Sequence, residues 1–554
     1  MNPSRKQHYD SSSVADKAPV ASQHVPLIVI GAGPAGLAAA LTAAKAGVGV
    51  MLIDEHPVAS ALMGLEVPFH FGQRMNGAVQ NKARMVERLV ETNPDLAEAF
   101  ELGVEVQLGV YAAGAFVNGP TVHTLAKPVL MLADEERSWV VSFDRLVVAA
   151  GARDLGMAFA GWEKPGVMGA KAALALMQRY KAFDGRRLVV MGSGALGLQT
   201  ALAALDNGLT VAAIIEVEKK VRGPEALHAK LTERGVPVLT RHAVKAALGK
   251  TETEGVVAAA LDDAGKPIAG RETTIPCDTI VTAIGAVPNI ELLDVLGCRL
   301  EYRAERSGYV PVVDSEGLTS VPCVYAVGDC AGAFDAKTLD ARIAIAEGRR
   351  AGIAAAEALG ASDLPTFDEA DPLFGKRTDV KDDHWRHWLD AQIAVSGWDV
   401  NVCQCEEVTR CELVELRPPR YLKWGSSQMA ARSLEKLAQD GPINQDQVKR
   451  LTRAGMGPCQ GRRCREQVQM MLAAATGVEV SDIPLASYRA PVRPLPMNVL
   501  WPHEEPQEVR DNWVSWFNIP TMWTPHWELD SVSDAMSPES ERVMGLGDGA
   551  TPDE

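Results

Sequence analysis

The feature that most limits what this chain can fold into is a glycine turn, Gly31-Ala32-Gly33-Pro34-Ala35-Gly36. It stands between the apolar run Pro26-Leu-Ile-Val-Ile30 and an alanine-rich stretch, residues 37–46, that stops at Gly47. The run reads as a strand and the stretch as a helix, so the turn joins the two. In such a turn the first glycine permits the bend, the second lets the backbone approach a pyrophosphate, and the third lets helix and strand pack closely. The helix start then offers the anion unpaired N–H groups and the positive end of its dipole. A further strand, Gly49-Val-Met-Leu-Ile53, ends in Asp54, where a carboxylate can accept ribose hydroxyls. A glycine turn alone is a weak sign. With strand, helix and terminal acid it predicts a dinucleotide site built on Gly31, Gly33, Pro34, Ala35, Gly36, Asp54 and the adjacent Glu55.

The pattern recurs. Arg187-Leu-Val-Val-Met191 runs into Gly192-Ser-Gly194-Ala-Leu-Gly197, a helix reaches Asn207-Gly208, and strand Thr210-Val-Ala-Ala-Ile-Ile215 ends in Glu216. The chain is therefore expected to be α/β, with two nested Rossmann-like dinucleotide-binding domains: 26–155 and 277–358 form the first, and 156–276 is inserted as the second. The return near Cys277 is placed by the apolar strand Thr279-Ile-Val-Thr-Ala-Ile284. Gly192, Gly194, Gly197 and Glu216 are the second candidate site. Its acid would repel a 2′-phosphate, which favours NAD over NADP, but Gln199 stands where NADH users often carry Glu. NAD, another nucleotide and a vestigial site all stay open.

Two linker strands, with Ala150-Gly151 and Gly285-Ala286, and the strand Val321-Pro-Cys-Val-Tyr-Ala-Val327 ending in Gly328-Asp329 complete an ordered set. An alanine-rich helix, residues 338–356, is expected to follow. Together these signatures resemble the glutathione-reductase-like flavoproteins. The resemblance implies FAD in the first domain, with Ala150, Gly151 and Gly328 beside it and Asp329 accepting a ribityl hydroxyl. It also implies that the following helix aims its N-terminus at the isoalloxazine edge, stabilising negative charge on the reduced flavin. Cys330 has no C-x-x-C partner, so a dithiol–disulfide reductase is not expected, although a redox role for Cys330 stays open.

Nine cysteines in 554 residues include Cys403-Gln-Cys405 and Cys459-Gln-Gly-Arg-Arg-Cys464. Four thiolates on two short turns can hold zinc or an iron–sulfur cluster. Zinc knuckles favour C-x2-C, so this spacing leans towards [2Fe–2S], and Lys449, Arg450, Arg453, Arg462 and Arg463 supply offsetting charge. The stretches 402–409 and 448–464, with Tyr488-Arg-Ala-Pro-Val-Arg-Pro-Leu-Pro496, resemble the bacterioferritin-associated-ferredoxin-like domain. In particular they resemble its version fused to the FAD subunits of opine oxidase, hydrogen cyanide synthase and D-hydroxyproline dehydrogenase. That resemblance implies Cys403, Cys405, Cys459 and Cys464 as cluster ligands in a small, mainly helical domain, 401–490. It implies an electron-transfer subunit partnered by an FAD-dependent, glycine-oxidase-like chain that oxidises a C–N bond of a small amine. FMN at a subunit interface and an additional small subunit belong to the same expectation. The chain departs from the pattern at Val58-Ala-Ser-Ala-Leu-Met-Gly64, where a Gly-Gly-Gln element is usual, and at the insertion Arg417-Pro-Pro-Arg-Tyr-Leu-Lys-Trp424.

Residues 1–25 are polar and expected to be disordered, 359–400 read as a linker or insertion rich in Asp, Pro and Trp, and 491–554 form an extension whose acidic end is expected to be disordered. Trp501, Trp513, Trp516, Trp523 and Trp527 lie in that extension and need a surface to pack on, either the chain's own core or a partner. A net charge of −16 argues against nucleic acid. No secretory h-region or apolar run of membrane-spanning length is present, which points to the cytoplasm. No constellation of His, Tyr, Asp or Glu beside the flavin motifs announces a substrate base, so the catalytic residues are unassigned. Two rival readings stand beside the relay: a self-contained NADH-dependent flavin and iron–sulfur reductase, and a scaffold for a catalytic partner.

Overall fold

The computed structural model describes residues 20–58, 74–119, 122, 125–367, 383–422 and 432–500. Expectations for residues 1–19, for the 59–64 departure and for the five tryptophans from 501 onward fall outside the described residues. The chain forms two compact units, residues 1–495 and 496–554; of the second, only 496–500 are described, with a short helix at Met497–Leu500.

The first sheet has seven strands, six of them in the order Glu105–Leu108, Val50–Asp54, Gln23–Ile30, Ser138–Val148, Val129–Ala133 and Tyr111–Phe116. The long strand Ser138–Val148 pairs antiparallel with Val129–Ala133 through its first half. Its last residues pair parallel with Gln23–Ile30 on one side and Val324–Ala326 on the other. Register then sets Ile30, Val148 and Ala326 side by side at the carboxyl ends of three parallel strands. Each is followed by one predicted signature: Gly31, Ala150-Gly151 and Gly328-Asp329. A crevice at such strand ends is where open parallel sheets take their ligands. The first strand begins at Gln23, three residues earlier than the apolar run suggests, because His24 is held by Ser142 and Asp144 across the sheet.

The second sheet is wholly parallel, in the order Val238–Thr240, Thr210–Glu216, Arg187–Met191, Thr279–Thr282 and Val167–Gly169. This corrects one expectation. Thr279–Thr282 belongs here, paired with Met191 and Gly169, so the first domain resumes beyond the linker strand Ala286–Pro288 rather than at 277. Ala286–Pro288 pairs antiparallel with Ala152–Asp154, and the two carry the chain between the domains. A three-stranded antiparallel sheet, His242–Leu248, Gly255–Leu261 and Pro267–Pro276, completes the second domain.

Two further expectations are adjusted. The helix expected over 338–356 is broken at Asp340, whose extended backbone and side chain cap a new helix, Ala341–Ala358, by accepting the Arg342 N–H at 3.0 Å. Gly348 and Gly352 of that helix let it press on the backbone of Ala35 and Ala39 in helix Pro34–Lys45. The expected linker 359–400 contains a folded helix, His384–Ser396, with Trp388 fully buried. The thiol-bearing region is helical around two short strands, Asn401–Cys403 and Val408–Thr409. A capping box between Thr409 and Glu412 starts its helix Arg410–Val414. Among the described residues no helix is long and apolar enough to cross a membrane.

Candidate functional site: a dinucleotide cleft beside four thiols

The three strand ends open on a cleft of about 460 Å³ lined by Gly31, Gly33, Pro34, Asp54, Glu55, Ala150, Gly151 and Asp329. The glycines do what the turn requires. Gly31 has φ +101°, and a Cβ there would overlap the Ala149 carbonyl oxygen, whereas nothing lies within 4 Å of the corresponding point on Gly33. Space at Gly33 is what a pyrophosphate approaching the backbone needs. Ala35, Gly36 and Gly328 act from behind. A Cβ on Gly36 would overlap the Gly31 carbonyl oxygen, and Gly328, at φ +72°, donates its N–H to Glu347 at 2.8 Å.

The acids are held in place. Asp54 accepts the Ala32 N–H at 2.5 Å and the His56 N–H at 2.8 Å, so it braces the turn itself. A carboxylate offers about four lone-pair sites, which leaves some for a ribose. Glu55 is ion-paired with Arg493, 438 residues away. Burial works against its charge, but Arg493 overrides that and holds the carboxyl below the usual range. Asp329 accepts from Lys171 Nζ at 2.9 Å. Here too burial opposes the charge, and the Lys171 ammonium keeps the carboxyl low.

Several residues of this cleft carry no motif of their own. Arg153, Asp154, Lys171, Arg179 and Arg493 also line it. Asp154 accepts the backbone N–H groups of Lys171, at 2.8 Å, and Ala172, at 3.3 Å. Burial nonetheless pushes its carboxyl up to about 6. His56 is hydrogen-bonded to Tyr180. Burial lowers the imidazole and raises the phenol, so both favour their neutral forms. Cys330 is fully buried, with its S–H aimed at the carbonyls of Val148 and Val327, and burial pushes the thiol up to about 12. It is packed as structure, not poised as a nucleophile.

The second turn repeats the construction of the first. Gly192 has φ +107°, a Cβ there would come within 2.6 Å of the Ala283 carbonyl oxygen, and Gly197 closes on Gly192 as Gly36 does on Gly31. Gly194, like Gly33, has open space. Its acid differs. Glu216 is 0% exposed and accepts both the N–H and the hydroxyl of Ser193, at 2.8 and 2.7 Å. Burial raises its carboxyl. Residues 217–223 fold back on the turn: Gly223 N–H donates to the Ser193 carbonyl at 2.8 Å, and a Cβ on Gly223 would meet that oxygen at 2.9 Å.

The four thiols come together as two contacting pairs. Cys464 lies against Cys403 and Cys405 against Cys459, and in each pair the neighbour, against the opposing effect of burial, lowers one thiol: Cys403 below the ordinary range and Cys459 down to about 6. Gly455 N–H points at Cys403 Sγ at 3.4 Å. Cys403, Cys459 and Cys464 are buried and Cys405 is half-buried. Among the described residues no three His, Cys, Asp or Glu side chains are grouped to hold one metal ion. Arg463 is buried beside the thiols, where its Nη1 donates to Gln404, and it has no carboxylate partner among the described residues. Its Nε and Nη2 have no hydrogen-bond acceptor among the described residues, and burial pushes it down to about 9. Buried guanidinium N–H groups left open are what an anionic group at the thiols would take up.

Thiol region and cleft share a wall. Arg153 lines the cleft and donates to the Arg462 carbonyl at 3.2 Å, while Arg462 donates to the Cys459 carbonyl at 3.2 Å. Arg153 also meets Glu291 at 3.1 Å and Glu466 at 2.5 Å. A Cβ on Gly156 would overlap the Arg463 carbonyl oxygen, Ala158 N–H donates to Gln467, and Trp162 donates to the Asn401 carbonyl.

Comparison with known proteins agrees with this geometry. The family described as pyridine nucleotide-disulphide oxidoreductase matches residues 25–356, and the sarcosine oxidase A3 domain matches residues 427–502. An opine oxidase subunit of Agrobacterium tumefaciens (strain Ach5) is 27% identical over 513 residues, covering 86% of this chain and 91% of its own. Hydrogen cyanide synthase subunit HcnB of Pseudomonas protegens is 25% identical over 500 residues, covering 86% and 98%. The crystal structure of L-proline dehydrogenase from P. horikoshii has the same fold, with a TM-score of 0.54 at 20% identity over 88% of this chain and 81% of that one. With more than half its length matched, the chain belongs to the pyridine nucleotide-disulphide oxidoreductase family, a family of flavoprotein oxidoreductases.

Proposed function

We propose that the chain is the FAD- and [2Fe–2S]-containing electron-transfer subunit of a heteromeric amine or amino-acid dehydrogenase or oxidase. One observation carries the reading: four thiols from two distant segments meet against the wall of a dinucleotide cleft, beside a buried guanidinium, Arg463, whose Nε and Nη2 have no acceptor among the described residues. The C-x-C and C-x4-C spacing departs from the C-x2-C knuckles that structural zinc favours, which supports two irons with two thiolates each. The relatives' names support the assembly, since the opine oxidase and hydrogen cyanide synthase chains are both named as subunits. The partner in this reading is an FAD-dependent, glycine-oxidase-like chain, with FMN at the interface and one more small subunit completing the complex.

FAD and the cluster, when bound, supply the exchange between a two-electron donor and one-electron transfer. The chain's own residues bind and orient. The N–H groups at the glycine turn would hold the pyrophosphate, Asp54 would accept the ribose hydroxyls, and Asp329 would accept a ribityl hydroxyl. Arg153 fixes the thiol loop against the cleft. The acids and the histidine described in the cleft each have a protein partner: Glu55 has Arg493, Asp54 and Asp154 have two backbone N–H groups each, Asp329 has Lys171 and His56 has Tyr180. With hydride chemistry on the partner chain, the cleft needs no substrate base, and the subsequent imine hydrolysis needs no residue here. None of the nine cysteines is in a disulfide, which supports a reducing, cytoplasmic setting.

Anaerobic stopped-flow mixing of the purified chain with NADH tests the reading. The buried, Ser193-bonded Glu216 leads to the expectation of no rapid flavin bleaching. Bleaching on a turnover timescale would overturn the relay in favour of a self-contained NADH reductase.

A further inference from the structure

The cleft has a cationic wall that no sequence motif announces. Residues 170–179 open as a helix, Ala170–Leu174, and pass without a break into a π-turn, Ala175–Arg179. Lys171, Ala172, Leu174, Ala175, Gln178 and Arg179 from this segment all line the cleft. A π-turn widens the helix by one residue and shifts the phase of its side chains, and such turns gather at functional sites. Here the segment delivers Lys171 at its start and Arg179 at its end to the same space.

Lys171 is held at both ends. Its backbone N–H is taken by Asp154 at 2.8 Å, and its Nζ by Asp329 at 2.9 Å. Its side chain keeps 31% exposure, and it is the only lysine among the described residues lining the cleft. An ammonium has three donors and Asp329 occupies one, so the ion pair fixes the charge in position and leaves donors for a ligand. We propose that Lys171 is a flavin-tuning residue, its ammonium stabilising the negative charge that gathers on the flavin when it is reduced. This rests on the FAD reading of the cleft given above. The physical ground is that a cation in a partly desolvated site favours whichever state of its neighbour is more negative. Charge beside the ring is one of the levers by which a protein sets a flavin's electronics.

The test is a spectroelectrochemical titration of the flavin in the purified full chain and in Lys171→Met, with FAD content measured on both. Lys171→Met should retain FAD, and its two-electron reduction equilibrium should fall about tenfold, a shift of about 30 mV to lower potential. Lys171→Arg should restore most of the shift. If Lys171→Met retains FAD at an unchanged potential, even with a lower thermal midpoint, Lys171 only braces Asp329 and the proposal fails. Should Lys171→Met not fold, Lys171→Gln is titrated with the same two outcomes. A wild-type chain that holds no FAD would sink the FAD reading itself, a result distinct from an unmoved potential.

Discussion

Replacing Arg153 with methionine keeps most of the side-chain volume and removes a charge that is 3% exposed. Five acceptors lose their donor: the carbonyls of Arg462 and Pro288 at 3.2 and 3.4 Å, Asn289 Oδ1 at 3.3 Å, Glu291 at 3.1 Å and Glu466 at 2.5 Å. Glu291 and Glu466 are themselves only 8% and 9% exposed, so they would be left as two buried carboxylates without their shared cation. Breaking a buried pair from one side costs about 3–5 kcal/mol, and the upper half of that range is expected here. Arg153→Lys keeps the charge and loses the planar fork that reaches all five acceptors, so it should recover only part. The cost should also depend on pH. Burial pushes the Glu291 carboxyl up, but Arg153 and Arg462 together hold it below its usual range. That pairing stabilises the fold above the ordinary carboxylate range and is lost on acidification. In Arg153→Met the weakened pairing lets Glu291 hold its proton more tightly when folded, so the deficit should shrink as pH falls. The assay is guanidinium unfolding of the full chain at two pH values, with Glu466→Gln added in a double-mutant cycle. A coupling energy of about 1–3 kcal/mol is expected. A loss below about 1 kcal/mol for Arg153→Met, or strict additivity with Glu466→Gln, would refute the buried-triad account.

The cleft yields two more expectations. Gly36→Ala drives a Cβ into the Gly31 carbonyl, and overpacking of about 1–3 kcal/mol should weaken FAD retention roughly 5–150-fold, read as flavin absorbance after desalting; wild-type occupancy would contradict the turn geometry. Asp154 binds its proton more tightly in the folded chain, at about 6, than an ordinary carboxylate does. Its contribution is therefore greatest in acid and lost as pH rises through about 6. Between about pH 5 and pH 7.5 wild type should lose about 1–2 kcal/mol more stability than Asp154→Asn, and parallel profiles would count against a buried, proton-holding Asp154.

Much of the fold is legible in the sequence because its rules are local. Glycine turns, strand-end acids and cysteine spacing each act within a few residues, and the first cleft formed where they placed it. What was not legible depended on partners far away in the chain. A four-residue apolar strand such as Thr279–Thr282 carries no mark of which sheet it joins, so its place beside Met191 had to be seen. Helix His384–Ser396 was hidden in a segment whose Asp, Pro and Trp content reads as a linker, although Trp388 anchors it in the core. Lys171 meets Asp329 across 158 residues and Arg493 meets Glu55 across 438. No spacing rule reaches that far. Glu216 marks another case: it stands at its strand end where the pattern puts it, while its burial against Ser193 came from the fold.

In the proposed relay the four thiols hold a [2Fe–2S] centre serving an FAD-binding chain. Chemical analysis of the natively purified complex, with low-temperature electron paramagnetic resonance after dithionite reduction, tests it most directly. Iron and acid-labile sulfide are expected in equal amounts, about two of each per chain. A reduced-cluster signal is expected that disappears in Cys459→Ser while FAD stays bound. Stoichiometric zinc with no labile sulfide, or a signal untouched by Cys459→Ser, would contradict it.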